Sequence, residues 1–425
     1  MNADVVVIGA GVIGASIAHE LAGSGLNVLV VDKGGSAGCG STGASSAVVR
    51  FTFSTWDGVA LAWEARHCWE SWRDHLGAPA GEQLPRYHRT GLVMLDAPVA
   101  PRARILPLFD RAGVPYEEWD ADTLAARVPG IDTGRHWPPA RLDDERFWTE
   151  PAGRLGAVYT PDAGYVDDPQ LAAAGLAAAA SRRGASFRYR QEVVEVARAH
   201  GRVRGVRLAD DTLLAAPIVV NAAGPWSAAL NRLAGVTSVR ARPLRQEVHH
   251  VAAAPPGFRP IVADLDLGVY LRGEPGGGLL VGGTEPACDP LEWLEDPGQA
   301  AMAPTAAAFE TQVTRAARRF PALTVPGRAK GVAGVYDVTD DWTPVYDRTE
   351  LPGFYVAMGT SGNQFKNAPV VGRIMTALIE AVEGGHDHDR EPLDYLAPHT
   401  GHRIGLGAFS RKRPINTDST GTVMG

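Results

Sequence analysis

Val5-Val6-Val7-Ile8 is an unbroken apolar run, and the turn Gly9-Ala10-Gly11-Val12-Ile13-Gly14 follows it at once. A helix-like stretch then reaches about Ala22. A second apolar run, Val28-Leu29-Val30-Val31, ends on Asp32. Short apolar runs without polar alternation predict strands covered on both faces. The opening therefore reads as strand, turn, helix, strand. Leu61, Ala65, Cys68, Trp69 and Trp72 share one face of an amphipathic helix over 58–76. Residues 168–184 are Ala-rich and helical. Segments 187–196 and 203–208 read as strands across a turn at His200-Gly201. Ile218-Val219-Val220 is another buried strand. Residues 243–284 alternate like sheet, in 247–251, 269–272 and 279–282. A helix over 300–319, a strand over 354–357 and a helix over 368–383 follow. Between Pro79 and Pro151 the chain is rich in Pro and Trp and reads as a separate layer. Residues 401–425 are polar, carry Arg411-Lys412-Arg413, and read as a solvated or loosely docked tail.

The first turn carries chemistry as well as shape. In a strand–G-x-G-x-x-G–helix–strand–acid unit, Gly9 permits the tight turn and Gly11 lets the backbone approach a pyrophosphate. Gly14 lets helix and strand pack closely. Unpaired N–H groups at the helix N-terminus face the phosphates. Asp32 is placed to accept hydrogen bonds from a ribose.

Composition narrows the rest. With 425 residues there is room for two packed domains or one large α/β unit. A net charge of −7 and no basic stripe argue against nucleic-acid binding. Cys39, Cys68 and Cys288 are widely spaced without a C-x-x-C pair, so neither a zinc site nor a disulfide framework is expected. The start lacks a basic leader region, and no apolar run is long enough to span a bilayer. A cytoplasmic location is expected. Only Lys33, Lys330, Lys366 and Lys412 are lysines among 41 basic residues. That bias hints that some of these positions require a compact ammonium.

Four further segments carry a resemblance. The loop Gly40-Ser41-Thr42-Gly43-Ala44-Ser45-Ser46-Ala47-Val48-Val49-Arg50 is one, and Asn221-Ala222-Ala223-Gly224-Pro225-Trp226 is another. The others are Gly334-Val335-Tyr336-Asp337-Val338-Thr339-Asp340-Asp341 and Gly359-Thr360-Ser361-Gly362-Asn363-Gln364-Phe365-Lys366. With the N-terminal unit they resemble the flavin-dependent D-amino acid oxidase superfamily, nearest to its sarcosine oxidase β-subunit, glycine oxidase and imino-acid dehydrogenase branch. The resemblance implies an α/β (α+β overall) fold with a Rossmann-type FAD-binding domain from 1–79, 151–239 and 326–400. A substrate domain on a mostly antiparallel sheet would come from 80–150 and 240–325, with 401–425 as the tail. It assigns FAD contact to Gly9, Gly11, Val12, Gly14, Asp32, Lys33, Ser41, Thr42, Ser45, Ser46, Val193, Ala223, Gly224, Trp226, Gly334, Gly362, Asn363, Gln364 and Lys366.

The implied activity is oxidation of the C–N bond of a small amino acid or secondary (N-methyl or cyclic imino) amino acid, by hydride transfer to flavin N5, giving an imine. Such a site must hold a carboxylate. Arg50 and Lys366 occupy the positions that meet the carboxylate in relatives, Arg as a fork and Lys as a point charge. Arg50 reads otherwise as a flavin or surface contact, and Lys366 as a cation stabilising reduced flavin. Tyr336 and Tyr270 match substrate-lining positions, or are packed core tyrosines. Phe51, Phe53, Trp56 and Trp342 are further candidates for the pocket wall. His249-His250 reads as core or surface, and 386–389 as an exposed turn without metal.

The covalent flavin attachment points of relatives fall at Gly334 and near Ala44, so FAD is expected to be non-covalent. The match to the oxygen-activating lysine is Leu280, so either oxygen or an electron-accepting protein partner is expected to reoxidise the flavin. Two other readings stay open. One is a flavin subunit of a multi-subunit dehydrogenase with no activity of its own, and the other is an NAD-dependent dehydrogenase.

Overall fold

The computed structural model describes residues 3–425. Its first layer is a six-stranded sheet in the order Val345–Arg348, Phe354–Met358, Ile218–Asn221, Val5–Ile8, Val28–Val31, Ser186–Arg188. All pairs are parallel except the edge pair 345–348 with 354–358. The absence of alternation in Val5–Ile8 has a direct cause. Val5 and Val7 join the core that contains helices Val12–Gly23, Pro169–Arg182 and Ala368–Glu383. Val6 and Ile8 join a second core against the small sheet of Val193–Ala199, Arg202–Leu208 and Leu213–Ala215. Both faces are covered, so both sets of side chains are apolar.

The second layer is a nine-stranded, mostly antiparallel sheet. Its order is Glu292–Trp293, Arg242–Val251, Leu279–Gly283, Val269–Gly273, Ile261–Asp264, Leu92–Leu95, Ala157–Thr160, Glu117–Trp119, with Gly331–Val338 also pairing with 242–251. Strands 157–160 and 331–338 pair into this layer from outside the segments 80–150 and 240–325 expected to build it. Helix Ala306–Arg319 packs Phe309, Val313 and Ala316 against Val269, Leu271 and Val281.

Local chemistry explains where elements depart from expectation. The helix over 58–76 is two helices, Trp56–Glu70 and Trp72–Leu76. Ser71 Oγ takes the His67 carbonyl at 2.7 Å and competes with the helix ladder there. Stacking of Trp69 on Trp72, centroids 4.3 Å apart, carries the apolar stripe across the break. The helix over 300–319 starts only at Ala306, because Pro304 disfavours helix before it and Thr305 caps the N-terminus. The strand over 187–196 is two strands in different sheets, separated by Arg190 at φ +56°.

Residues 401–425 are not a loose tail. Arg403–Gly405 pairs with Asp394–Leu396, and Ile404, Leu406 and Phe409 are buried. Arg411 binds Asp347 at 3.0 Å and Asp389 at 2.6 Å, and Arg413 binds Asp341 at 2.7 Å. The polar composition thus reflects arginines matched to buried carboxylates. The same contacts correct the reading of 386–389 as an exposed turn, since His388 is buried beside Asp347.

Candidate active site

A cavity of about 520 Å³ lies between the two layers, within the ~300–1,000 Å³ range usual for small-molecule sites. Every residue assigned above to FAD contact lines it except Gly14, and so do Arg50, Tyr270 and Tyr336. At one end, strand Val5–Ile8 stops at Gly9, whose φ is +104°. A Cβ there would meet the Ala222 carbonyl carbon at 2.8 Å, so only glycine makes this turn. Gly11 faces the cavity, and a Cβ on it would approach nothing nearer than Thr42 Oγ1 at 3.2 Å. Gly14 instead abuts the Gly9 carbonyl and lets helix Val12–Gly23 sit on the strand. That helix starts without a side-chain cap on Gly11, and Val12 N–H donates to Thr42 Oγ1 at 3.1 Å. Asp32 accepts the N–H groups of Ala10 and Gly34, each at 2.6 Å. Lys33 Nζ lies 3.8 Å from the Trp226 ring centroid, and Val193, Ala223 and Gly224 complete this end.

These features fit the dinucleotide half of FAD: a glycine cradle, an uncapped helix N-terminus and an acid at the second strand's end. Toward the ring half, Ser41 Oγ donates to the Val335 carbonyl at 2.6 Å and joins the Gly/Ser loop to the second layer. Ser45 and Ser46 follow on that loop, and the hydroxyls of Ser46 and Tyr270 meet. A Cβ on Gly334 would lie 3.0 Å from Ala44 Cβ. Gly334 and Ala44 therefore approach closely here, and neither carries a nucleophile.

At the far end, strand Val48–Val49 pairs with Gly164–Val166 and delivers Arg50 into the interior. Arg50 Nη1 donates to the Thr52 carbonyl, and Nη2 donates to the Val423 carbonyl at 2.6 Å. Lys366 comes from the loop that closes strand Phe354–Met358. Asp337 holds that loop by accepting Gly359 N–H at 2.6 Å and the Thr360 hydroxyl at 2.5 Å. Gly362, at φ +70°, leaves room for the Tyr336 ring. Asn363 Nδ2 donates to the Trp342 carbonyl at 3.3 Å, and Gln364 Nε2 donates to Asn363 Oδ1 at 2.6 Å. Among the described residues, Lys366 Nζ donates only to the Asn363 carbonyl, at 2.5 Å. Phe53 lies under both cations, its centroid 4.6 Å from Lys366 Nζ and 5.2 Å from Arg50 Cζ.

Electrostatically this end is unusual. Arg50 and Lys366 are both buried, and among the described residues no acid forms an ion pair with either. Burial pulls the Arg50 guanidinium down to about 9. Burial first and Arg50 second pull the Lys366 ammonium well below its ordinary value. Two desolvated cations without a counter-charge are costly, and an anion between them would relieve that cost. Burial raises the hydroxyls of Tyr270 and Tyr336 above the usual tyrosine range, so both stay protonated.

Other candidates lie elsewhere. His249 is buried edge-on against Phe309, and His250 pairs with Glu274 at 3.0 Å. Leu280 shares a sheet face with Tyr270 but does not line the cavity. Nor do Phe51, Phe53, Trp56 and Trp342, although Phe53 packs beneath Arg50 and Lys366. His19, Glu20 and His75 bring possible metal ligands within 4.8 Å of one another, but Arg373 stands against Glu20 at 3.5 Å and His75 at 3.3 Å. The residues that sequence reasoning missed are Val423 and Met424, which line the cavity, and Glu285 behind Val423. Nothing local marks the first two. Glu285 had one signal, an acid two residues after the apolar strand Leu279–Gly283.

A family model, described as FAD dependent oxidoreductase (DAO), matches residues 4–378. Glycine oxidase of Geobacillus kaustophilus is 28% identical over 395 residues, covering 90% of this chain and 94% of that protein. The 4-methylaminobutanoate oxidase (formaldehyde-forming) of Paenarthrobacter nicotinovorans is 26% identical over 419 residues. That alignment covers 96% of this chain and 47% of the relative, so this chain spans about half its length. Among solved structures, L-proline dehydrogenase from P. horikoshii matches with a TM-score of 0.74 at 24% identity, covering 91% of this chain and 94% of that one. Glycine oxidase from G. kaustophilus matches with the same TM-score and identity over 98% and 100%. No helix among the described residues is long and apolar enough to cross a membrane.

Proposed function

The chain belongs to the DAO family of FAD-dependent oxidoreductases, and on that premise we propose that it oxidises the C–N bond of a small amino acid bearing a primary, N-methyl or cyclic secondary amine, giving an imine. One observation carries this reading: the buried pair Arg50 and Lys366, without a counter-charge, at the cavity end remote from the dinucleotide cradle. A carboxylate supplies the missing charge. A flavin subunit with no substrate of its own would have no use for that pair. The names of the two curated relatives, a glycine oxidase and a 4-methylaminobutanoate oxidase, cover a primary and an N-methyl amine.

FAD, when bound, supplies the acceptor for the hydride that leaves the carbon next to nitrogen. The protein does the rest. Arg50 offers a fork and Lys366 a point charge to the carboxylate, which fixes one end of the substrate. Tyr336 and Tyr270 wall the site and present neutral hydroxyls. The antiparallel layer covers the cavity and excludes water from the imine as it forms. The Gly/Ser loop and the loop ending at Lys366 both line the cavity and would hold the flavin ring of bound FAD. The electron acceptor is oxygen or a protein partner.

The test is anaerobic mixing of the FAD-loaded protein with N-methylglycine, proline, glycine and D-amino acids while following oxidised-flavin absorbance. Bleaching by at least one supports the reading, and recovery in air marks oxygen as the acceptor. No bleaching by any amine would overturn it.

A further inference from the structure

Glu285 follows strand Leu279–Gly283 with its backbone at φ +49°. That left-handed conformation is strained for any residue with a Cβ, and such strain clusters at functional sites. Its side chain is buried, at 8% exposure. One carboxylate oxygen, Oε2, accepts the N–H of Val423 at 2.8 Å. The other, Oε1, is buried without a partner. Burial pushes this carboxyl up to about 8, and its charge reaches Tyr270 and Tyr336 on the cavity wall.

Val423 is the link to the site. It lines the cavity, and its own carbonyl accepts from Arg50 Nη2 at 2.6 Å. One residue therefore sets its N–H on a carboxylate and its C=O on a guanidinium. An α-amino acid offers the same N–Cα–C unit, with an ammonium at one end and a carboxylate at the other. The hydrogen bonds around it are short-range, Met424 N–H to Thr422 Oγ1 at 3.0 Å and Thr420 N–H to the Gly425 carbonyl at 3.2 Å, with Met424 packed into the core beside it. Displacing it would expose Glu285 and Arg50 together.

We propose that Glu285 recognises the amine of the substrate, that the site thereby selects α-amino acids, and that Val423 holds the substrate's place until one displaces it. The inference rests on the amino-acid oxidation proposed above. The carboxylate of an α-amino acid takes the position of the Val423 carbonyl on Arg50, with Lys366 sharing the charge. Its ammonium takes the position of the Val423 N–H. The incoming ammonium favours the ionised carboxylate over the protonated form that burial favours in the free protein, the proton leaving to solvent. A primary or secondary ammonium has at least two N–H donors, one for Oε2 and one for the unpartnered Oε1. An amine three carbons removed from its carboxylate, as in 4-methylaminobutanoate, cannot span the two groups as one residue does.

The experiment uses the FAD-loaded full chain, wild type, Glu285→Gln and Val423→Pro. Flavin reduction by α-amino acids gives kcat and KM, and the flavin spectrum titrated with acetate gives the Kd of a carboxylate without an amine. Glu285→Gln is expected to raise KM about 10–100-fold, the loss of a charge-assisted hydrogen bond, and to leave the acetate Kd within about twofold. Val423→Pro removes the N–H that Glu285 holds, and is expected to lower both KM and the acetate Kd. Reduction that proceeds with KM unchanged in Glu285→Gln, or with KM and acetate Kd raised alike, overturns the role of Glu285 and leaves amine oxidation standing. A higher KM in Val423→Pro overturns the place-holding role of Val423. Reduction of neither wild type nor Val423→Pro by any amine overturns both this inference and the function beneath it.

Discussion

The indole N–H of Trp69 donates to the backbone carbonyl of Lys366 at 2.7 Å, joining residues 297 positions apart. Phe365 stacks on the same indole at 5.2 Å between centroids. A helix from the first part of the chain thus fixes the backbone of the closing loop while the Lys366 ammonium points the other way, toward Phe53. Trp69→Phe keeps the stacking and removes the bond. The expected result is a loss of about 0.5–1.5 kcal/mol in stability with FAD retained and KM for the amino acid raised. Thermal unfolding and steady-state kinetics check it.

The cation pair sets function against stability. Lys366→Met removes a buried charge that no acid offsets. Stability is expected to hold or to rise by on the order of 1–2 kcal/mol, while kcat/KM falls. Arg50→Ala is expected to lower kcat/KM by about 10–100-fold through loss of a charge-assisted contact. Denaturant unfolding beside kinetics separates the two effects. A variant that loses stability and activity in proportion would count against the role given to the pair.

Burial of Glu285 has a pH signature. Its carboxyl rises from an ordinary 4.5 to about 8 in the folded protein, by burial first and then the charge of Asp289. The folded state therefore binds the proton over a range where the unfolded chain has released it. The contribution is fully present below about 4.5 and is lost as pH rises through about 8. Lys366 acts with the opposite slope at higher pH, because its lowered value makes the unfolded chain the stronger proton binder there. Glu285→Gln is expected to flatten the fall in midpoint temperature between pH ~4.5 and 8, measured on FAD-free protein in a pH series.

FAD is expected to leave on acid precipitation, with the yellow colour in the supernatant. Ala44 and Gly334 cannot form the bonds made at those positions in relatives. Cys39 is the one thiol that lines the cavity among the described residues, so Cys39→Ala is expected to change nothing. Colour retained in the wild-type pellet and freed in Cys39→Ala would instead identify a thioether.

Legibility followed the range of the interactions involved. The turn Gly9 to Gly14 was readable because φ at Gly9 and the packing of Gly14 depend on a few consecutive residues and a strand of known period. The loop ending at Lys366 was readable by likeness, and the Gln364 amide and the Lys366 ammonium both bond to Asn363 within the loop. The helix over 58–76 was right in its buried face and wrong at Ser71, where one side-chain bond outweighed the pattern. Residues 401–425 misled because a polar composition is compatible with solvent and with buried carboxylates alike. Which of the two applies depends on Asp341, Asp347 and Asp389.

By itself the order of residues determined the local units: the βαβ opening with its glycine cradle, the strand–loop–helix that ends the FAD layer, and the acid and cations on offer. These follow from backbone sterics and hydrophobic period, which act over a few residues. Only the tertiary structure decided that Phe53 lies under both Arg50 and Lys366 and that, among the described residues, no acid pairs with either. It alone brought Val423 between Arg50 and Glu285. A charge's environment is set by what packs around it, and here the neighbours come from segments hundreds of residues apart.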